Sequence, residues 1–176
     1  MRWLGGLAIV LVVLVLGIVG VGYVLPRDHV VTRSAVIPAP PDSVWATITN
    51  PAAFPTWRTD VSEVELLQGD SGRVAWRETH GDDAVPVEVL VSEPPARLVT
   101  RIASDSLPFG GTWTYHLAAT RGGSRVTITE AGSVYNPVYR FVSRFVMGHT
   151  STMDAYLRAL GRRFGGTAEP ADGVKA

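Results

Sequence analysis

The hydrophobic pattern changes character once, near Pro26. From Trp3 to Leu25 the chain runs 23 residues without a charge, bracketed by Arg2 and Arg27. A helix of that length, at about 1.5 Å per residue, spans a hydrocarbon core of about 30 Å. Gly5, Gly6, Gly17, Gly20 and Gly22 disfavour a helix in water but are tolerated in lipid, where an unsatisfied backbone group costs more than poor propensity. Trp3 and Tyr23 stand at the ends, where amphipathic rings favour the interface. A cleaved secretory signal competes with this reading, but the run exceeds the usual apolar core of roughly 7 to 15 residues and no A-x-A site follows. Residues 1–27 are therefore expected to be an amino-terminal transmembrane anchor, with residues 4–25 in the bilayer of the cell membrane as a single pass. Arg2 on one side and Arg27 and Arg33 on the other leave a small charge asymmetry, from which the globular domain is expected on the extracytoplasmic side.

Beyond Pro26 the pattern is that of one domain, residues 28–165. Alternation and β-branched content predict strands at Val30–Ile37, Val61–Gln68, Arg73–His80, Val85–Ser92, Arg97–Ser104, Thr112–Thr120 and Arg125–Val134. Gly69-Asp70-Ser71-Gly72, Gly81-Asp82-Asp83, Pro94-Pro95 and Gly122-Gly123 fall between them as turns, which argues for an antiparallel meander. Pro40-Pro41-Asp42-Ser43 opens a short helix ending at Asn50-Pro51, and Pro51 to Trp57 reads as another single turn. Asn136 as cap and Pro137 at the first helical position open a long helix of about 28 residues to Gly165. Its apolar stripe runs through Phe141, Phe145, His149, Met153, Tyr156, Leu160 and Phe164, with Arg140, Arg144, Arg158 and Arg162 on the other face. Residues 166–176 lack large apolar side chains and are expected to be a disordered tail.

Composition narrows the chemistry. With no cysteine, and 16 Lys+Arg against 16 Asp+Glu, the chain is neither a disulfide scaffold, a thiolate enzyme nor a generic nucleic-acid binder. The mean hydropathy of +0.17 is concentrated in the first segment. Charge is uneven despite the zero sum, since residues 60–93 are strongly acidic and the last helix carries Arg140, Arg144, Arg158, Arg162 and Arg163. Two solvated faces explain this, and an arginine face lying on anionic lipid is the sharper alternative.

The order strand, two short helices, six antiparallel strands and long carboxy-terminal helix resembles the helix-grip fold of the polyketide cyclase/dehydrase and START-domain (SRPBCC) superfamily. The segments APPDSVWATITNPAAFPTW, VSEPPARLV and GTWTYHLAATRGGSRVTITEAG carry the likeness, which covers roughly Arg33 to Phe164. The resemblance implies an α+β fold in which a curved antiparallel sheet wraps the long helix and leaves a cavity suited to an apolar ligand. It fixes function poorly, because such a fold hosts carriers, cyclases and oxygenase subunits alike.

Period two sorts the strand residues. Val74 and Trp76 share a face with Glu78 and His80, Trp113 and Tyr115 share one with Leu117, and Val126 and Ile128 lead to Glu130. Glu78 and Glu130 are thus candidate inward carboxylates, and Glu130 also resembles the glutamate closing this strand in relatives. His149 sits four residues from Phe145 and from Met153, where it could act as a general base or orient a carbonyl, or simply be a hydrogen-bonded core histidine. The candidate ligand-binding set is Trp76, Glu78, Trp113, Tyr115, Glu130, Phe145, His149 and Met153; an enzyme would use Glu130, His149 and Tyr115 as acid/base groups.

No nucleotide-binding glycine motif or G-x-S-x-G is present. His29, His80, His116 and His149 never fall at a metal-ligand spacing, so neither a metal nor another cofactor is expected. The expected function is a membrane-tethered binding protein for a hydrophobic small molecule or lipid. The alternatives are a polyketide cyclase/dehydratase-like enzyme using the same cavity, and a protein-interaction module whose cavity is vestigial. Protein partners are not readable from the sequence.

Overall fold

The structure, a computed structural model, describes residues 2–69 and 72–173. Helix α1 runs Arg2–Val24. The domain begins with β1 (Asp28–Ile37), α2 (Pro41–Ile48) and a 3-10 turn (Pro51–Thr56), followed by β2 (Glu63–Gln68), β3 (Val74–His80), β4 (Asp83–Glu93), β5 (Arg97–Ile102), β6 (Phe109–Thr120) and β7 (Gly123–Val134). Then come α3 (Pro137–Val142), a π-helical turn (Ser143–Met147), α4 (Ser151–Arg163) and a short β8 (Ala171–Asp172). The expected turn at Asp70 and Ser71 lies outside the described residues.

The eight strands form one antiparallel sheet in the order β2-β3-β4-β5-β6-β7-β1-β8, so the meander from β2 to β7 is closed by β1 on its far side. Curved around α4, this α+β sheet has the helix-grip arrangement. The pleat sends His29, Val31, Arg33, Ala35 and Ile37 of β1 to one face, opposite Gly132, Glu130, Ile128, Val126 and Ser124 of β7. That face meets α4 through Met153, Leu157 and Leu160, all without solvent exposure. A polar tie fixes the same contact: Arg33 Nε donates to Asp154 Oδ1 at 2.6 Å.

The carboxy-terminal helix is broken, which the apolar periodicity does not foresee. α3 begins as expected, with the Asn136 side chain accepting from the Val138 and Tyr139 amides. The chain then passes through the π turn to Gly148, whose φ of 75° lies in the left-handed region that glycine adopts most readily. α4 restarts at Ser151. The break rotates the first half away from the core, so Phe145 is 60% exposed while Met153 is fully buried. Arg140, expected on a solvated face, is buried, donating from Nη1 to Leu25 O and from Nη2 to Tyr135 O.

The segment after α4 is also ordered over its described residues. Ala168 is buried against Gly161, Ala171 and Asp172 pair with β1, and Arg33 donates to Pro170 O. The expectation of a disordered tail is therefore corrected as far as Gly173; residues 174–176 lie outside the described set.

The described residues do not establish the expected anchor over residues 4–25: among them, no helix is long and apolar enough to cross a membrane. Helix α1 itself has 23 residues. Its last turns pack on α3, with Gly22 buried at the contact; a Cβ there would lie 2.0 Å from Pro137 O.

Candidate functional site

Two polar clusters sit on the concave face, joined by aromatic rings. The first is built by β1, β6, β7 and the helix break. Trp113 pairs with Glu130 across β6 and β7, and Gly132 stands opposite His29 across β7 and β1. Because Gly132 has no side chain, the His29 ring can lean over it; a Cβ there would lie 2.5 Å from His29 Cε1. Glu130 is thereby held from both sides, accepting from His29 Nε2 at 2.9 Å and from Trp113 Nε1 at 2.7 Å. His149, delivered by the break at Gly148, stacks on His29 with ring centroids 4.2 Å apart. Burial holds the His149 pKa below its ordinary 6.5, the adjacent His29 and Arg144 depress it further, and Glu130 offsets part of the effect.

The second cluster centres on Arg58, placed by the 3-10 turn whose end is fixed by the bond from Arg58 N to Phe54 O. Arg58 and Glu78 are each only 6% exposed. Arg58 Nη1 lies 2.9 Å from Glu78 Oε2, and Nη2 donates to Asp60 Oδ2 at 2.7 Å. Glu78 also accepts from Trp76 Nε1 at 2.8 Å and from His80 Nε2 at 3.1 Å. The guanidinium carbon stands 5.3 Å over the Phe54 ring and 5.2 Å over that of Tyr156. Burial alone would raise the Glu78 pKa, yet the His80 hydrogen bond, the Arg58 charge and the Trp76 hydrogen bond together hold it below the ordinary value. Burial likewise disfavours the Arg58 cation, and Glu78 and Asp60 more than restore it.

Tyr156 bridges the clusters, with its ring 5.7 Å from Trp113, 5.8 Å from Tyr115 and 5.4 Å from Trp57. Both tyrosine hydroxyls are pushed above their ordinary pKa, chiefly by burial, so at neutral pH they stay protonated. These rings occupy the space between α4 and the sheet where a cavity was expected. A pocket of about 90 Å³ lies between α2 and the sheet, against Ile48, Trp76, Val89 and Leu98. That is well below the roughly 300 to 1,000 Å³ of ligand sites.

Trp113, Glu130 and His149 thus meet in the first cluster, Trp76 and Glu78 belong to the second, and Tyr115 lies between them. Phe145 is on the surface and Met153 in the core. Sequence reading missed four participants. Extending the β1 alternation by one position would have put His29 on the inner face. Tyr156 lies on the helix stripe, where periodicity does not separate a site residue from the core, and Arg58 and Asp60 lie outside periodic elements, where no pattern marks the inward side chain. Among the described residues, no group of three or more His, Asp or Glu could hold a metal ion.

Comparison with known proteins agrees with this architecture. The sequence family described as "Polyketide cyclase / dehydrase and lipid transport" matches residues 28–165. Curated proteins give no sequence match. Among solved structures, the chain is similar to the di-domain ARO/CYC StfQ from the steffimycin biosynthetic pathway, with TM-score 0.61 and 13% identity over 79% of this chain. It spans about half of that protein, 52%. A START superfamily protein from Mycobacterium smegmatis gives TM-score 0.62 and 13% identity, covering 78% of this chain and 97% of the other. Norcoclaurine synthase from Thalictrum flavumn gives 0.60 and 14%, covering 78% and 94%. At these identities the likeness is one of fold.

Proposed function

The chain belongs to the polyketide cyclase/dehydrase and lipid transport family, and from that premise we propose that it is a membrane-tethered binding protein for a hydrophobic small molecule or lipid, with no catalysis of its own. The observation that carries this reading is the broken carboxy-terminal helix lying over the His29, Trp113 and Glu130 cluster. π-helical turns that interrupt helices occur frequently at functional sites. The packed interior is then the ligand-free state, in which aromatic rings fill the space a guest would take. Uptake displaces the π turn next to Gly148, while α3 stays docked on α1, and opens a path to an aromatic floor with one fixed carboxylate. Such a site suits a molecule that is mostly apolar with a single hydrogen-bonding end.

Tethering is supported by the uncharged run from Trp3 to Leu25 and by the outward exposure of most described α1 side chains. A carrier of a poorly soluble ligand gains effective concentration by residing where that ligand partitions. The packed interior also favours a second reading, a tethered protein-interaction module whose cavity is vestigial. A cyclase-like enzyme would instead use the His29 and Glu130 pair with His149 as its acid/base groups.

Displacement of a fluorescent fatty acid from the full chain in lipid nanodiscs tests the choice. The binding reading expects saturable one-to-one uptake, weakened by His149→Leu with little loss of stability. No uptake by the well-folded wild-type chain would favour the interaction module. Unchanged uptake by His149→Leu, with a large stability loss, would make His149 a structural residue.

A further inference from the structure

The surface around α3 carries an apolar patch that the ligand site does not use. Tyr135, Val138 and Tyr139 on and before α3, and Phe145 and Val146 on the π turn, are all exposed, the last two at 60% and 72%. This patch adjoins the point where α1 meets the domain. Gly22 sits against the Pro137 backbone, Arg140 donates to Leu25 O, and Tyr23 and Val24 stand exposed beside the contact. Arg27 and Arg144, both exposed, flank the same region.

We infer that α3 and the π turn form a second membrane-contacting element, seated at the headgroup and acyl boundary of the bilayer that holds α1. The inference rests on the tethering reading above. If α1 crosses the membrane, its last turn leaves the bilayer next to Pro137, and the docked α3 has little freedom to sit elsewhere. Aromatic and aliphatic side chains flanked by arginines match that layer, where rings lie among headgroups and cations meet lipid phosphates. A soluble partner would have to cover a patch already pressed towards the membrane by the α1 contact. Seating α3 there brings the Gly148 break, and the site beneath it, to the level from which a lipid-like ligand would enter.

The absence of cysteine allows a direct test. Single-cysteine variants Val12→Cys in α1, Phe145→Cys in the π turn and Leu66→Cys in β2, each at an exposed position, are labelled with bimane in the full chain and placed in nanodiscs containing brominated phospholipid. The expected result is quenching by bromolipid at positions 12 and 145, a blue-shifted spectrum at 145, and neither effect at 66. Quenching at 12 with none at 145 would overturn this inference and leave the tether standing. A label at 145 shielded from aqueous iodide yet untouched by bromolipid would assign the patch to a protein partner or a second copy, again overturning it. Absence of quenching at 12 would remove the tether itself, and the inference with it.

Discussion

Replacing Arg58 by Met probes the second cluster most sharply. The substitution keeps much of the aliphatic stem under Phe54 and Tyr156 but removes the cation. Glu78, with 6% of its surface exposed, then keeps only the Trp76 and His80 donors, whereas the more open Asp60 can recover water. Breaking a buried pair by removing one partner costs about 3 to 5 kcal/mol. The two remaining donors and the exposure of Asp60 put the expected loss near the lower end, about 3 kcal/mol. The sign of its pH dependence follows from Glu78. In the wild type its pKa is depressed, so its contribution is present above the ordinary carboxylate range and is lost as pH falls through the depressed value. Without Arg58, burial is less opposed and the carboxyl protonates earlier, so the deficit of the variant should shrink towards acid pH. Urea unfolding of the full chain in detergent, followed by near-ultraviolet circular dichroism between pH 7 and pH 4, reads both effects. In the Glu78→Gln background the cost of Arg58→Met should fall by more than half, because no buried charge is stranded. A loss under about 1 kcal/mol at pH 7, or an equal loss in the Glu78→Gln background, would refute the buried-pair reasoning.

Other expectations follow from single contacts. Gly132→Ala places a Cβ 2.5 Å from His29 Cε1 and 2.9 Å from Glu130 Oε1, so it should break their hydrogen bond and cost about 1 to 3 kcal/mol; an unchanged urea midpoint would show that the pair adapts. Gly22→Leu should push α1 off the Pro137 backbone and speed trypsin cleavage after Arg27 in nanodiscs, without altering the near-ultraviolet spectrum; an unaltered cleavage rate would show that the contact does not restrain the link. The depressed His149 pKa means the unfolded chain takes the proton first. His149 therefore costs no stability well above pH 6.5 and an increasing amount as pH falls below it, towards its folded value. His149→Leu should flatten that part of the stability profile between pH 7.5 and pH 5.5, and an equal slope in both chains would contradict the assignment.

Strand positions were legible because the sheet has one buried face: alternation through Val126, Ile128 and Glu130 registers directly as inward and outward. The break at Gly148 was not, because apolar spacing at three and four residues continues across it and a glycine within a helix is not by itself a stop. That one backbone event decides where Phe145, His149 and Arg140 go. Arg58 was hidden for a different reason. It lies just after a 3-10 turn, where side-chain direction depends on tertiary packing against Phe54 and Tyr156 rather than on any repeat. The ordered tail is a third case: small residues such as Ala168 have little apolar area, yet they can dock where Gly161 leaves room.

The central claim is that the packed interior opens to admit one apolar guest from the membrane. Native mass spectrometry of the full chain released from nanodiscs of natural lipid extract tests it most directly. The account predicts a bound species of one lipid-like mass per chain that survives removal of the annular lipids, and that is depleted in the Trp113→Ala and His149→Leu variants. A bare chain mass alone, from protein whose near-ultraviolet spectrum confirms a packed fold, would contradict it.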